Sequence, residues 1–353
     1  MFFPQSDPSL ATIAAFGTLA AGYVARPIGG LLFGHFGDRR GRKTILVVTM
    51  GIMGIASFLI GLVLTYAAIG VAAPLILVTL RILQGVAIGG EWGGATLMVA
   101  EHAEPRRWGF WNGLMQMGSA VGALLASAAA AAVTFLPEDD FLSWGWRLPF
   151  LFSIILLGVG LYVRLSTSES PVFQKAQNAA ARTSNAIPLV DLLRRPRNLV
   201  LACAVGIGTF GLTALNNTFM ISYAVSIGYA RSDVLTVVVI NSANALVTIP
   251  LFSALSDRVG RRAVILSGAF GIVIYAWPFY ALVGTGSLSW FLVAMMISQV
   301  FQSAMFAPLG ALLSEVFGTK VRYTGASMGY QLAALIGGGF TPLIARFHTV
   351  DRK

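Results

Sequence analysis

Three charged residues stand inside long apolar stretches of the sequence: Arg26, Arg81 and Glu91. A charge at membrane depth costs a few kcal/mol even on lenient insertion scales, so each needs a partner or a task. Arg81, Gln84, Ile88 and Glu91 recur at spacings of three, four and three, which at about 100° per residue gathers them in a wedge of roughly 80° on one helix face. The two charges are about 15 Å apart in helical rise, too far for a tight ion pair. They suit opposite sides of a polar cavity at mid-membrane depth. Arg81 supplies a permanent cation with a planar donor fork that matches a carboxylate. Glu91 suits the loading and release of a proton, and Arg26 could neutralise Glu91 or a second solute oxygen. The bland alternative is a fixed ion network that holds helices together.

Other polar positions follow the same logic. Asn216 and Asn217, then Asn241 and Asn244, then Gln299 and Gln302 sit in three further apolar stretches; they could hydrogen-bond a polyhydroxylated acid or simply link helices. Gly85, Gly89, Gly90, Gly93 and Gly94 leave the helix that carries Arg81 almost bare, which permits close packing or ligand approach. Gly30 with Gly34, Gly118 with Gly122 and Gly325 with Gly329 read as packing notches. His35, His102 and His348 are isolated, and no His, Cys or carboxylate cluster has ligand spacing, so the sequence implies neither a metal nor a membrane-embedded enzyme. No GxxxxGK[ST] segment is present, which excludes direct ATP drive within this chain. The lone Cys203 rules out a disulfide framework.

The elements that must position these residues are set by composition. Of 353 residues, 56% are hydrophobic and 11% charged, against roughly 25% charged in soluble domains. At about 20 residues per crossing, the apolar content supplies roughly ten spans, so the chain reads as an all-α polytopic membrane protein. The spans fall near 11–36, 44–66, 72–100, 108–134 and 147–165, then 199–225, 234–256, 263–284, 288–314 and 323–345. Residues 166–198 contain no crossing segment, so the chain divides into an N-terminal bundle, 1–165, a linker, 166–198, and a C-terminal bundle, 199–353. The start, MFFPQSDPSL, has no basic region before its first apolar stretch and does not read as a cleavable leader.

A net charge of +10 would raise nucleic acid as a partner in a soluble protein. Here the basic residues lie in short loops, and 17 of the 24 fall on one side of the expected topology, the cytoplasmic side. The linker is then cytoplasmic and both termini lie outside. One internal repeat stands out: GHFGDRRGRK (34–43) after the first span and SALSDRVGRR (253–262) after the seventh. A second pair agrees, Glu101 followed by Arg106 and Arg107, and Glu315 followed by Lys320 and Arg322. Both repeats are six spans apart, yet the motif follows span one of the first half and span two of the second. That offset predicts a parent of six plus six helices, with one further helix before residue 1 and one after residue 353, so that about ten of twelve are present.

The loop GxxxDRxGRK resembles the signature of the major facilitator superfamily. ARPIGGLLFGHFGDRRGRK (25–43), RILQGVAIGGEWGGA (81–95) and FLSWGWRLPFLFS (141–153) are similar to its metabolite:proton symporter family, and within it to the shikimate-transporter branch, whose neighbours carry 2-oxoglutarate, citrate, and proline or betaine. The resemblance runs over essentially the whole chain. It implies the major facilitator fold, with pseudo-symmetric six-helix halves, and a preceding helix with acidic residues. It also implies a gate in which Asp38, with Arg39 and Arg42, pairs with charges on neighbouring helices when the cytoplasmic side is closed; Glu101 joins it, and Asp257, Arg258 and Glu315 form a partial second set.

The function so implied is proton-coupled symport of a small organic acid across the plasma membrane by alternating access, with no cofactor. The expected partners are the solute, a proton and lipid, with no nucleic acid; the sequence does not set the oligomeric state, and a monomer is the expectation. Competing readings are a zwitterionic osmolyte symporter, a metabolite or drug exporter, and a truncated, inactive remnant.

Overall fold

The computed structural model describes residues 2, 8–133, 135–169, 196–318 and 321–341. Most of the expected linker, from 170 to 195, lies outside them, as do Lys320 and the C-terminal residues Arg346 and His348. Among the described residues the structure is helical, without strands, as a chain in lipid must be when every backbone N–H and C=O has to bond within its own segment.

Among the described residues, nine long helices and the first part of a tenth fall on the ten expected spans. They are α1 (Pro8–Arg40), α2 (Arg42–Leu62), α3 (Ala72–His102), α4 (Trp108–Val133) and α5 (Leu148–Ser166). After the linker come α6 (Pro196–Ser226), α7 (Arg231–Val259), α8 (Arg261–Val283), α9 (Leu288–Val316) and α10 (Arg322–Ala333). By length and composition alone, seven of the described helices could cross a membrane: α2, α3, α5, α6, α7, α8 and α9. The ladder of α6 widens into a π-helical turn at Leu215–Phe219, and α10 runs on into another at Ala334–Phe340.

Contacts group the chain into two units. The first comprises Met1–Met98, Leu125–Arg194 and Thr319–Gln331. Its tightest seam joins α1 to α3: a Cβ on Gly85 would collide with the carbonyl of Gly22, and one on Gly89 with the carbonyl of Arg26 and, at 2.7 Å, the amide of Gly30. The bare face of α3 is therefore a packing surface, with Gly90 against Phe33, Gly93 against Ser327 and Gly94 against Tyr323. Across the unit, α2 meets α5 with Gly54 under Leu157 and Gly160 under Met50.

The second unit comprises Val99–Leu124, Arg195–Gly318 and Leu332–Lys353. Its core joins Phe219 and Met220 to Val234, Phe279, Phe291 and Met295, and Phe301 covers Gly271. Large apolar side chains also point outward: Phe152, Ile155, Leu156 and Val159 on α5, and Phe270, Val273, Ile274 and Trp277 on α8. Each set follows i, i+3, i+4, i+7, a full apolar stripe turned away from the protein, which suits lipid rather than water.

The glycine seam gives a direct prediction. Gly89→Val should destabilise the folded protein by about 1–3 kcal/mol through overpacking. Gly118→Ala, where nothing lies within 4 Å, should be neutral or stabilising by up to about 1 kcal/mol. Thermal melting in detergent compares the two; equal effects would contradict the close α1–α3 approach.

Candidate functional site

The repeated loop makes the same turn twice. Gly41 (φ 106°, ψ 154°) links α1 to α2, and Gly260 (φ 102°, ψ 145°) links α7 to α8. That backbone region is essentially reserved for glycine, which explains the Gly of D-R-x-G-R. The turn ends α1 and α7 so that each acid, three residues earlier, meets a helix terminus within its own unit.

Asp38 receives the amide of Tyr323 on Oδ1 at 3.1 Å, and the amide and hydroxyl of Thr324 on Oδ2 at 3.0 and 2.7 Å. Asp257 receives the amides of Gly109 and Phe110, both at 2.8 Å. These are first-turn N–H groups of α10 and α4, which have no partner inside their helices, and each carboxylate also meets the positive end of the helix dipole. The acids expected to pair with side-chain charges thus bind chiefly backbone.

Side-chain charges complete the second loop. Arg261 pairs with Asp257 at 2.8 Å and with Glu315 at 3.2 Å, and donates to the carbonyl of Ser256 at 2.7 Å. It is the first residue of α8, and the Gly260 turn brings it back onto Asp257 at the end of α7, whereas Arg258 and Arg39 are exposed. Arg42 holds the matching position in the first loop; it is 1% exposed and acts electrostatically on Asp38. Glu101 is buried in the second unit. Glu169 caps a third terminus, accepting the amides of Arg42 and Lys43 at 3.1 Å each.

The charges within the apolar helices are placed apart. Arg81 donates to Gln84 at 3.1 Å, and Gln84 donates to the hydroxyl of Ser57 on α2 at 2.7 Å. Glu91 lies further along α3, in the field of Arg164. Arg26 forms no ion pair with Glu91; its guanidinium lies 3.9 Å from the ring centre of Tyr23. Its charge reaches Tyr330, which stacks on Trp92 with ring centres 3.5 Å apart. Neither Arg26 nor Arg81 has an acidic partner among the described residues.

The amides belong to the second unit and largely bind one another. Asn216 donates to Gln302 at 3.1 Å and accepts from Ser298 at 3.0 Å; Gln302 donates to Thr213 at 2.8 Å. Asn241 donates to Gln299 at 3.1 Å, and Asn244 to the carbonyl of Met296 at 3.0 Å. Asn217 faces outward. The π-helical turn holds Asn216 inward, a local widening often found at functional sites.

Five residues in these contacts are not among those the sequence singles out: Tyr23, Trp92, Tyr330, Tyr323 and Glu169. Tyr23 was recoverable, since residues three apart share a helix face. The others required knowing which helices are neighbours. Among the described residues no group of three His, Cys, Asp or Glu could hold a metal ion.

The family model described as Major Facilitator Superfamily matches residues 5–347. The chain is 39% identical over 348 residues to the shikimate transporter of Escherichia coli (strain K12), spanning 98% of this chain and 80% of that protein. It is 30% identical over 361 residues to the proline/betaine transporter of Salmonella typhimurium, spanning 98% and 71%. The fold is similar to the proton:xylose symporter XylE bound to 6-bromo-6-deoxy-D-glucose, with TM-score 0.79 at 18% identity over 99% of this chain and 82% of that one. It is also similar to the fucose:proton symporter FucP of E. coli, with TM-score 0.68 at 14% identity over 98% and 86%.

The caps are separable by amide exchange. A hydrogen bond to a charged group contributes about 1.5–3 kcal/mol, so Asp38→Ala should speed exchange at Tyr323 and Thr324 by at least about tenfold and leave Gly109 and Phe110 unchanged. Asp257→Ala should do the reverse. Equal or absent changes at both termini would count against the assignment.

Proposed function

The chain belongs to the Major Facilitator Superfamily, and on that premise we propose that this multi-pass membrane transporter is a proton-coupled symporter for a small organic anion. The observation that carries the reading is the pair Arg26 and Arg81, both within apolar helices and both without an acidic partner among the described residues. A cation so placed is costly, and a solute carboxylate would offset that cost on arrival with charge-assisted hydrogen bonds. The ring of Tyr23 under Arg26, and the stacked pair Tyr330 and Trp92, whose tyrosine the Arg26 charge reaches, suit an apolar or ring-shaped solute body. The shikimate transporter among the relatives agrees in charge and shape.

Glu91 is the proton carrier in this reading, with Arg164 as the cation acting on it. The halves 1–165 and 199–353, joined by the cytoplasmic segment 166–198, rock about the solute, and the Asp38 and Asp257 contacts close the cytoplasmic end. One proton entering with a monoanion moves no net charge, so a pH gradient alone drives uptake, at roughly 1.4 kcal/mol per unit. The aromatic faces beside Arg26 also favour a second reading, a zwitterionic ammonium solute. That solute would carry net charge with its proton and draw on the membrane potential, about 2.3 kcal/mol per 100 mV.

Reconstituted protein with shikimate, 2-oxoglutarate and betaine as probes, under an imposed pH step and a clamped potential, decides the matter. Arg26→Gln and Arg81→Gln should each lower anion uptake at least about tenfold, the value of a lost charge-assisted contact. Glu91→Gln should abolish pH-driven accumulation and spare solute exchange. Wild-type accumulation by the Glu91→Gln protein would overturn the proton assignment, and uptake of betaine alone would favour the zwitterion.

A further inference from the structure

Tyr323, at the first acidic cap, has 0% exposure. Its ring lies between two bare helix positions, since a Cβ on Gly37 of α1 or on Gly94 of α3 would run into it. Its hydroxyl donates to the carbonyl of Gly90 at 2.8 Å, and its own amide is a donor to Asp38. Gly90 directly precedes Glu91. The corresponding place at the second cap is occupied by Gly109, which has no side chain to reach into a neighbouring helix.

A continuous path therefore runs from Glu91 through the Gly90 carbonyl to the Tyr323 hydroxyl, and from the Tyr323 amide to Asp38. The charged groups acting on the hydroxyl come from four elements: Asp38 of α1, Arg42 at the start of α2, Glu91 of α3 and Arg164 of α5. A buried tyrosine hydroxyl needs a fixed acceptor, and here that acceptor belongs to the helix that carries the acid. Small shifts of α3 are thereby passed to the cap through bonds and packed atoms, since close-packed surroundings leave no slack to absorb them.

We propose that Tyr323 is a positioning residue that couples the charge state of Glu91 to the Asp38 cap. The proposal rests on the reading of Glu91 as the proton carrier. When α3 relaxes around a protonated Glu91, Tyr323 moves with it and its amide leaves Asp38.

The test uses the full chain in proteoliposomes, with a single cysteine at position 39 (R39C, Cys203 replaced by Ser) and a membrane-impermeant thiol reagent applied from the basic-loop side. In the otherwise unchanged protein the labelling rate, divided by that of a free thiol at the same pH to remove the thiolate's own titration, should vary with pH, and E91Q should flatten that profile. Tyr323→Phe, which keeps the ring and loses the hydroxyl, should flatten it likewise, with at least about a threefold loss of pH response. An unaltered, Glu91-dependent profile in Tyr323→Phe would overturn the coupling. If E91Q leaves the profile unchanged, the proton-carrier reading fails first and the coupling falls with it. Should Tyr323→Phe fail to fold by its melting curve, Gly94→Ala crowds the same hydroxyl from α3, one turn beyond its acceptor Gly90. That variant should give the same flattening, and a wild-type profile from it would equally overturn the proposal.

Discussion

A helix that starts near a membrane surface leaves its first amide N–H groups without acceptors, and a carboxylate placed there meets both those donors and the positive end of the helix dipole. Asp38 and Asp257 meet this need for α10 and α4, and Glu169 meets it for α2. Much else at the basic-loop end follows from the two repeated acids. Gly41 and Gly260 turn the chain so that the acid is presented, and Arg42 and Arg261 open the helix after the turn, Arg261 pairing with Asp257 and Arg42 acting electrostatically on Asp38. An acid-to-amide contact is strong enough to order a terminus, yet a modest helix movement breaks it without leaving two buried side-chain charges apart.

The rest of the architecture reverses the layout of a soluble protein. Lipid offers helices no hydrophobic reason to associate, so contact is made where backbones approach closely and where polar groups can pair. In the first unit the glycines of α1 and α3 provide the approach, and in the second the chain Asn216, Gln302, Thr213 and Ser298 provides the pairing. Against that background Arg26 and Arg81 are conspicuous, because helix-holding charges would be expected to have their opposite charge in reach. Arg81 has a neutral amide and Arg26 an aromatic face.

The helices and the repeat were legible in the sequence because their signals are local: apolar runs near 20 residues, basic loops between them, and D-R-x-G-R written twice. The partners of the acids were not, because a backbone amide carries no residue-specific mark, and Tyr323 lies 285 positions from Asp38. Next to Asp257 in sequence, Arg258 has the look of its partner, whereas the Gly260 turn brings Arg261, the first residue of α8, onto the acid. The glycine face of α3 was visible, but whether it received a ligand or a helix depended on α1 and α10. Asn216 and Asn217 look equivalent as neighbours in sequence; the helical turn sends one into the network and the other outward.

On the proposed function, the acid-to-amide contacts hold the basic-loop end closed and transport breaks them. Spin labels at R39C and V321C, read by pulsed dipolar spectroscopy in bilayers, measure that separation directly. A single short distance without solute, joined by a longer population when solute and a proton gradient are supplied together, is the predicted result. One unchanged distance distribution under active turnover would contradict the account.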